Sequence, residues 1–247
     1  MHSISNEQDK LVISKALDTM YLSEKRHCAC FYGFLNEHEV QVIKNNVHLT
    51  DVCDFYGGYD GAKRVFFCVN AHDNESYPFV CAKITYKKEF ELSHKDFLGA
   101  FMSLGIERST IGDIIVYDGY ALAFIKSDIF SYICNEITKI GRVGVDISLY
   151  EGENISVSDQ FDKLQFTVSS NRLDVFVSAL CHLSREKAQR VIKSDLVAVN
   201  YIIENNVSKT IRPGDVITIR KYGKFVFAEE DGYSKKGRTR VSVNHFR

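Results

Sequence analysis

Proline is nearly missing from this chain: Pro78 and Pro213 are the two in 247 residues, so no proline-rich spacer separates its parts and any boundary must lie in polar sequence. Long apolar runs are missing too. No stretch approaches the roughly 18 consecutive apolar residues of a membrane span, and the opening MHSISNEQDK lacks the basic start and apolar core of a secretory signal. A soluble, cytoplasmic protein with no membrane partner is the expectation. Paired cysteines are a third absence. Cys28, Cys30, Cys53, Cys68, Cys81, Cys134 and Cys181 are odd in number and include no C-x-x-C spacing, which fits reduced thiols rather than a disulfide framework or a zinc template. Cys28 and Cys30 would face opposite sides of a strand, and no second ligand pair follows, so neither metal nor cofactor is expected. Nor is there a phosphate loop. Gly57, Gly58 and Gly61 in DFYGGYDGAKR supply turn angles, but the Gly-Lys-Ser/Thr ending and the following helix are missing.

What the chain does have is apolar material and an uneven charge. With 45% hydrophobic and 26% charged residues it can build real cores, so disorder is not the default. The net charge of −1 hides a division: from residue 168 onward 15 Lys and Arg stand against 8 Asp and Glu, and the totals of 31 and 32 leave 16 against 24 before it. An acidic body with a basic end points to nucleic acid or an anionic surface as partner.

Local signals order the elements. Residues 5–22 read as a helix with Leu11, Val12, Ala16, Leu17 and Met20 on one side, and Asn36 with Glu39 reads as a capping box opening a second. VCDFYGGYDGAKRVFFCVN reads as two short strands around a turn. FVCAKITYK is a strand; SHKDFLGAFMSLG is a helix capped by Ser93, with Asp96 in its first turn and Gly105 at its end. After a helical turn at STIGDI, IIVYDGYALAFI is a hairpin about Asp118-Gly119. SDIFSYICNEITKIG reads as a helix capped by Ser127 and closed by Gly141, and RVGVDISLY as a last strand. Strand, helix, hairpin, helix, strand is the ferredoxin-like order, shared with the RRM. Phe124 on this hairpin is read as a core residue rather than a base-stacking one. His38 and His94 show no evident partner and are read as surface or capping residues.

The polar stretch 150–163 is the best boundary. Beyond it LQFTV is a strand, and Leu173, Phe176, Val177 and Leu180 give a helix one apolar face. Ser184 caps a second helix whose Ala188, Val191 and Ile192 point inward. Arg185, Gln189 and Lys193 recur every four residues in one row, flanked by Lys187 and Arg190, with Glu186 the one acid nearby, so this face is expected to be electropositive. LVAVN is a strand, and Pro213-Gly214 turns the chain into a longer strand, with Arg220, Lys221 and Lys224 on or just beyond it and Tyr222 between the charges. A basic tail follows with Lys235, Lys236, Arg238 and Arg240. Guanidinium forks and ammoniums suit phosphate, and an aromatic suits a base.

RLDVFV, LSREKAQRVIKSDLVAVN and RPGDVITI, in that order, closely resemble the S-four RNA-binding domain over about residues 170–227. Asp195 and Tyr201 stand where that family often has glycine; Asp tolerates the left-handed conformation the first position needs. Upstream, DFYGGYDGAKR and ELSHKDFLGAFMSLGIERSTIGDIIV are similar to the YlmH family of bacterial S-four proteins. The resemblance implies an α+β protein in three parts: a small N-terminal α/β region (1–75), a ferredoxin-like middle domain (76–163) and an S-four domain with a basic tail (164–247). It also implies a monomer that binds ribosomal RNA and tRNA on the large ribosomal subunit carrying peptidyl-tRNA, in rescue of stalled translation, with a link to cell division. The residues expected at RNA are Arg172, Ser184, Arg185, Lys187, Gln189, Arg190, Lys193, Asn200, Arg220, Lys221, Tyr222, Lys224, Lys235, Lys236, Arg238 and Arg240. Two other readings stay open. GRVGVD faintly resembles a pseudouridine-synthase motif and would nominate Asp146, although its spacing differs and the upstream region is short for that domain. A protein-interaction scaffold in cell division would leave the basic face solvated. A methyl-donor glycine loop and the HIGH and KMSKS signatures of tRNA synthetases are missing.

Overall fold

The structure, a computed structural model, describes residues 6–71, 77–152, 155, 157, 161–235 and 237–246. It forms two compact units, Met1–Val157 and Ser158–Arg247.

The first unit begins with α1 (Glu7–Arg26), β1 (Cys30–Leu35), α2 (Glu37–Asn46), β2 (Cys53–Tyr56) and β3 (Val65–Val69), whose strands pair in the order β1-β3-β2. Asn36 and Glu39 form the expected capping box: the Glu39 amide donates to Asn36 Oδ1 at 3.0 Å and the Asn36 amide to Glu39 Oε2 at 2.7 Å. The buried stripe of α1 differs from the expected one. Val12 and Ala16 are buried together with Thr19 and Ser23, while Leu11 and Leu17 are exposed. Ser23 tolerates burial because its hydroxyl donates to the Cys28 carbonyl and accepts from Asn70 Nδ2.

Next come β4 (Phe79–Thr85), α3 (His94–Ser103), a 3₁₀ turn at Arg108–Thr110, β5 (Ile111–Tyr117), β6 (Tyr120–Lys126), α4 (Ser127–Glu136), β7 (Lys139–Ile140), β8 (Val143–Gly144) and β9 (Asp146–Leu149). Four of these strands make an antiparallel sheet in the order β5-β6-β4-β9, which is the ferredoxin-like topology. Both the amide and hydroxyl of Ser93 donate to Asp96 at the start of α3, and Tyr117 faces Tyr120 across the Asp118-Gly119 turn. Two expected elements are shorter than read, and Ser127 is the first residue of α4 rather than its cap, the N-cap being Lys126 with no side-chain hydrogen bond. α4 ends at Glu136 because the β-branched Ile137 and Thr138 leave the helix, and Lys139–Ile140 pairs with Val143–Gly144 around Gly141 at φ +58°. The final strand accordingly starts at Asp146.

One face of this sheet packs on α3 and α4 through Ala82, Ile84, Phe97, Phe101, Ala121, Ala123, Ile125 and Ile133. Part of the other face meets the N-terminal layer, where Phe34, Phe66, Cys68 and Phe124 form a second core. Phe124 is therefore a core residue, 2% exposed. His38 has a partner after all, with Nε2 3.0 Å from Asp9 Oδ1. Asp113 on β5 pins the glycine-bearing loop: it accepts from the Tyr59 hydroxyl (2.8 Å), the Lys63 amide (2.6 Å) and the Arg64 amide (3.2 Å). The Arg64 guanidinium donates to the carbonyls of Phe34 and Ile111. The loop is thus a structural clasp: Gly57 and Gly58 are closely packed, and Gly61 lies at φ +83° in open space.

The second unit contains β10 (Phe161–Val168), α5 (Leu173–Leu180), α6 (Arg185–Lys193), β11 (Val197–Val199), β12 (Ile202–Ile203), β13 (Val216–Ile219), β14 (Gly223–Tyr233) and β15 (Thr239–Phe246). Its antiparallel sheet runs β10-β15-β14-β13-β11-β12. Leu173, Phe176, Val177, Ala188 and Ile192 are buried with Phe225, Phe227, Val241 and Val243, so the two helices cover one face of the sheet. Asp195 does adopt φ +57°, as do Asn200 (+49°) and Tyr201 (+66°) in the same region.

A Cβ at Gly58, at φ +100°, would lie 2.2 Å from the Phe124 ring. Gly58→Ala is therefore expected to destabilise the first unit by about 2 kcal/mol or more, from overpacking added to a disallowed backbone angle. Urea denaturation followed by circular dichroism checks this; an unchanged midpoint contradicts the clasp.

Candidate nucleic-acid interface

The chemistry of the second unit centres on a carboxylate that the pattern of α5 half conceals. In LDVFVSAL, Asp174 is the one charged residue, and it is completely buried. Burial by itself pushes its pKa up. Side-chain hydrogen bonds outweigh this and hold it down at about 2: Arg172 Nε and Nη2 donate at 3.0 and 3.2 Å, Gln189 Nε2 at 2.9 Å and Arg185 Nε at 3.0 Å. Two helices are thereby joined, since Arg172 caps α5 while Arg185 and Gln189 lie one turn apart on α6.

This geometry revises the picture of a uniformly unpaired row. Arg185 and Gln189 turn toward Asp174, and Arg190 pairs with Glu186 along the helix. Arg185 nonetheless keeps 55% of its side chain exposed and uses only Nε on the carboxylate, so its terminal amines point away from the bond. Arg172 is 37% exposed. Lys187 and Lys193 are exposed and make no ion pair among the described residues. Ser184 caps α6, its hydroxyl accepting from the Lys187 amide at 3.3 Å.

The remaining expected residues fall into three groups. Asn200 is internal glue: its Nδ2 donates to Asp215 Oδ1 (2.8 Å) and its Oδ1 accepts from the Val216 amide (2.9 Å). Arg220, Lys221 and Tyr222 lie just beyond β13, where the expected longer strand is in fact a hairpin, and form the exposed β13–β14 tip, with Lys221 at φ +74° and Gly223 at +115°. Lys224 lies just past that tip, its ammonium 5.0 Å from the Tyr201 ring centroid and 5.5 Å from that of Phe246. The basic tail is no tail. β14 and β15 pair from Lys224↔Phe246 to Tyr233↔Thr239, so Lys235 and Arg238 occupy the turn between them and Arg240 lies on β15, opposite Thr167. Lys236 lies outside the described residues. Asp146, the alternative catalytic nominee, opens β9 opposite Thr85 and is exposed. Among the described residues no group of three or more His, Cys, Asp or Glu is placed to hold a metal ion, and no helix is long and apolar enough to cross a membrane.

Asp174 is what sequence reasoning missed. A lone acid inside an otherwise apolar helix, with an arginine two residues before it, was the available signal, because a buried carboxylate needs cationic donors.

Comparison with known proteins agrees with this architecture. Residues 73–154 match YlmH_RBD, the RNA-binding domain in YlmH, and residues 171–217 match the S4 domain. The chain carries these two domain matches one after the other, the S4 match toward the C-terminus. Over 243 residues the chain is 25% identical to ribosome-associated protein quality control protein P2 of Bacillus subtilis (strain 168), covering 96% of this chain and 95% of that protein. A solved structure titled cell division protein ylmH, from Streptococcus pneumoniae, is 21% identical with a TM-score of 0.46, covering 61% of this chain and 95% of that one. Neither matched domain belongs to a catalytic family; RNA is the partner class they indicate.

Because the Asp174 pKa is depressed on folding, its contribution to stability is fully present above the ordinary carboxylate range and is lost as pH falls from about 4 to about 2. Asp174→Asn is expected to cost about 3 kcal/mol near neutral pH by leaving two guanidiniums without their anion. Urea titrations of both proteins should converge as pH drops through that window; a gap independent of pH contradicts the clamp.

Proposed function

We propose that this YlmH-type protein is a non-catalytic, cytoplasmic, monomeric RNA-binding protein that docks on ribosomal RNA and tRNA at the large ribosomal subunit carrying peptidyl-tRNA, acting in rescue of stalled translation. The observation that carries this reading is the Asp174 clamp. It holds Arg172, Arg185 and Gln189 in fixed positions on the edge of an S4 domain whose neighbouring Lys187 and Lys193 are exposed. Donors fixed before binding lose little freedom when phosphate arrives. The B. subtilis relative, aligned over nearly the whole chain, is named for ribosome-associated quality control, which supports the ribosomal setting. Supporting RNA contacts are assigned to Arg190 on α6, to Arg220, Lys221, Tyr222 and Lys224 around the β13–β14 tip, and to Lys235, Arg238 and Arg240 at the far hairpin. Ser184 and Asn200 act by holding the helix start and the β11–β12 turn.

Phosphate docking carries a salt signature. With five to seven contacts, log affinity should fall against log salt with a slope of roughly −4 to −6, and a slope near zero in ribosome sedimentation contradicts it. Charge reversal tests the surface itself, and the geometry dictates where to place it. Arg185→Glu would set a carboxylate beside buried Asp174 and confound folding with binding. Lys187→Glu with Lys193→Glu avoids this: stability should change by less than about 0.5 kcal/mol, while ribosome association should fall at least about tenfold. Lys10→Glu with Lys15→Glu changes net charge equally on α1 and should leave association intact. Equal losses in both pairs would mean that bulk charge alone matters; no loss in either would favour the scaffold.

A further inference from the structure

The four-stranded sheet of the first unit has a face turned away from α3 and α4, and the N-terminal layer roofs only part of it. Phe79, Cys81, Ile115 and Phe124 on that face pack with Phe34, Phe66, Tyr56 and Tyr77. Toward the Asp118-Gly119 turn the same face carries different residues. Tyr120 shares this face with Phe124 along β6, Tyr117 with Ile115 along β5, and Lys83 with Cys81 along β4. The Tyr117 and Tyr120 rings stack at 4.7 Å between centroids and 15° between planes. The Lys83 ammonium stands 5.1 Å from the Tyr120 ring centroid. Tyr150 joins them: its amide donates to the Cys81 carbonyl at 2.8 Å, and burial, then the phenols of Tyr120 and Tyr150, raise the Tyr117 pKa. All three tyrosines are partly exposed. The turn beneath the stack is braced, since the Tyr86 hydroxyl donates to the Tyr117 carbonyl at 3.1 Å and Lys88 pairs with Asp118 at 3.3 Å.

We propose that Tyr117 and Tyr120, with Lys83 beside them, form a base-stacking platform for single-stranded RNA, a second contact separate from the S4 surface. The site deepens the RNA-binding reading and rests on it. A flat, prestacked pair of aromatic faces takes any unpaired base, and the adjacent ammonium meets the phosphate or the base's π-face. Duplex RNA offers no free base face, so the occupant is an unpaired loop or end. The platform lies inside the segment that matches the domain described as RNA-binding in YlmH, while Phe124, four residues along β6 from Tyr120, is buried and unavailable to any ligand.

The test uses the full-length protein and a fluorescent single-stranded oligoadenylate. Replacing both tyrosines with leucine keeps apolar bulk but removes the flat rings. Tyr117→Leu with Tyr120→Leu should weaken oligoadenylate binding about tenfold or more, whereas Tyr117→Phe with Tyr120→Phe should stay close to the parent. Photo-crosslinks from a 4-thiouridine oligonucleotide should map to the peptide holding residues 117–120. Should the leucine pair lose its folded circular-dichroism signal, the crosslink map on the unaltered protein decides: crosslinks at 117–120 uphold the platform, and crosslinks confined to residues 161–247 overturn it. Unchanged affinity in a folded leucine pair also overturns it. Ribosome sedimentation separates this from the broader reading. If Lys187→Glu with Lys193→Glu abolishes ribosome association while the tyrosine variants bind oligoadenylate normally, the docking function stands and the platform falls. If crosslinks map to the platform but the unaltered protein ignores ribosomes, the ribosomal function falls instead.

Discussion

A full negative charge taken out of water must be met by hydrogen bonds, and at Asp174 every donor that meets it belongs to a residue on the cationic edge of the S4 domain. The carboxylate thereby sets two things at once. It fixes how α5 and α6 lie against each other, and it decides which part of each guanidinium faces outward. Arg185 spends Nε inward and keeps its terminal amines available; Arg172 spends both Nε and Nη2 and is the more structural of the two. A surface assembled this way has fewer free charges than its composition suggests, but those it has are held in place.

The first unit repeats the device with different parts. Asp113 gathers a phenol and two backbone amides from the glycine-bearing loop, and Arg64 fastens the same loop to β1 and β5. Arg108 donates to the carbonyls of Ile111 and Gly112 close by, where burial and then the neighbouring Arg64 lower its pKa to about 10. Motif residues that look like ligand-binding material are consumed in holding two layers together. The sheet face is divided in consequence, one part covered by phenylalanines and the other left to tyrosines and a lysine.

Legibility followed the range of the interaction. The Asn36–Glu39 and Ser93–Asp96 caps, the Asp118-Gly119 turn, the apolar face of α5 and the left-handed Asp195 are each determined within about one helical turn or one hairpin, and each was readable from residues. The βαββαβ order was readable for the same reason, as a string of local elements. What escaped was set by partners far along the chain. Asp174 finds Arg185 and Gln189 eleven and fifteen residues on. The basic stretch after residue 230 was read as a tail because nothing local in SKKGRTR announces that Thr239–Phe246 pairs with Phe161–Val168. α4 was read too long since Ile137 and Ile140 continue an apolar pattern that suits a helix, although both are buried in a turn and a two-residue strand.

That pairing of β10 with β15 has a topological consequence. Phe161 and Phe246, the first and last strand residues of the second unit, share one rung with rings 5.5 Å apart, so the first and last strands of this unit start and finish at one spot. A module whose ends meet can be spliced into or out of a host without disturbing its own strands, and its loops are natural places for new termini. The same geometry governs its response to load. Tension applied at the two ends pulls across the ladder rather than along it, so the hydrogen bonds are strained one rung at a time. The unit would open like a zipper from Phe161 and Phe246, with β10 peeling away first while the clamp that orients the arginines is still closed.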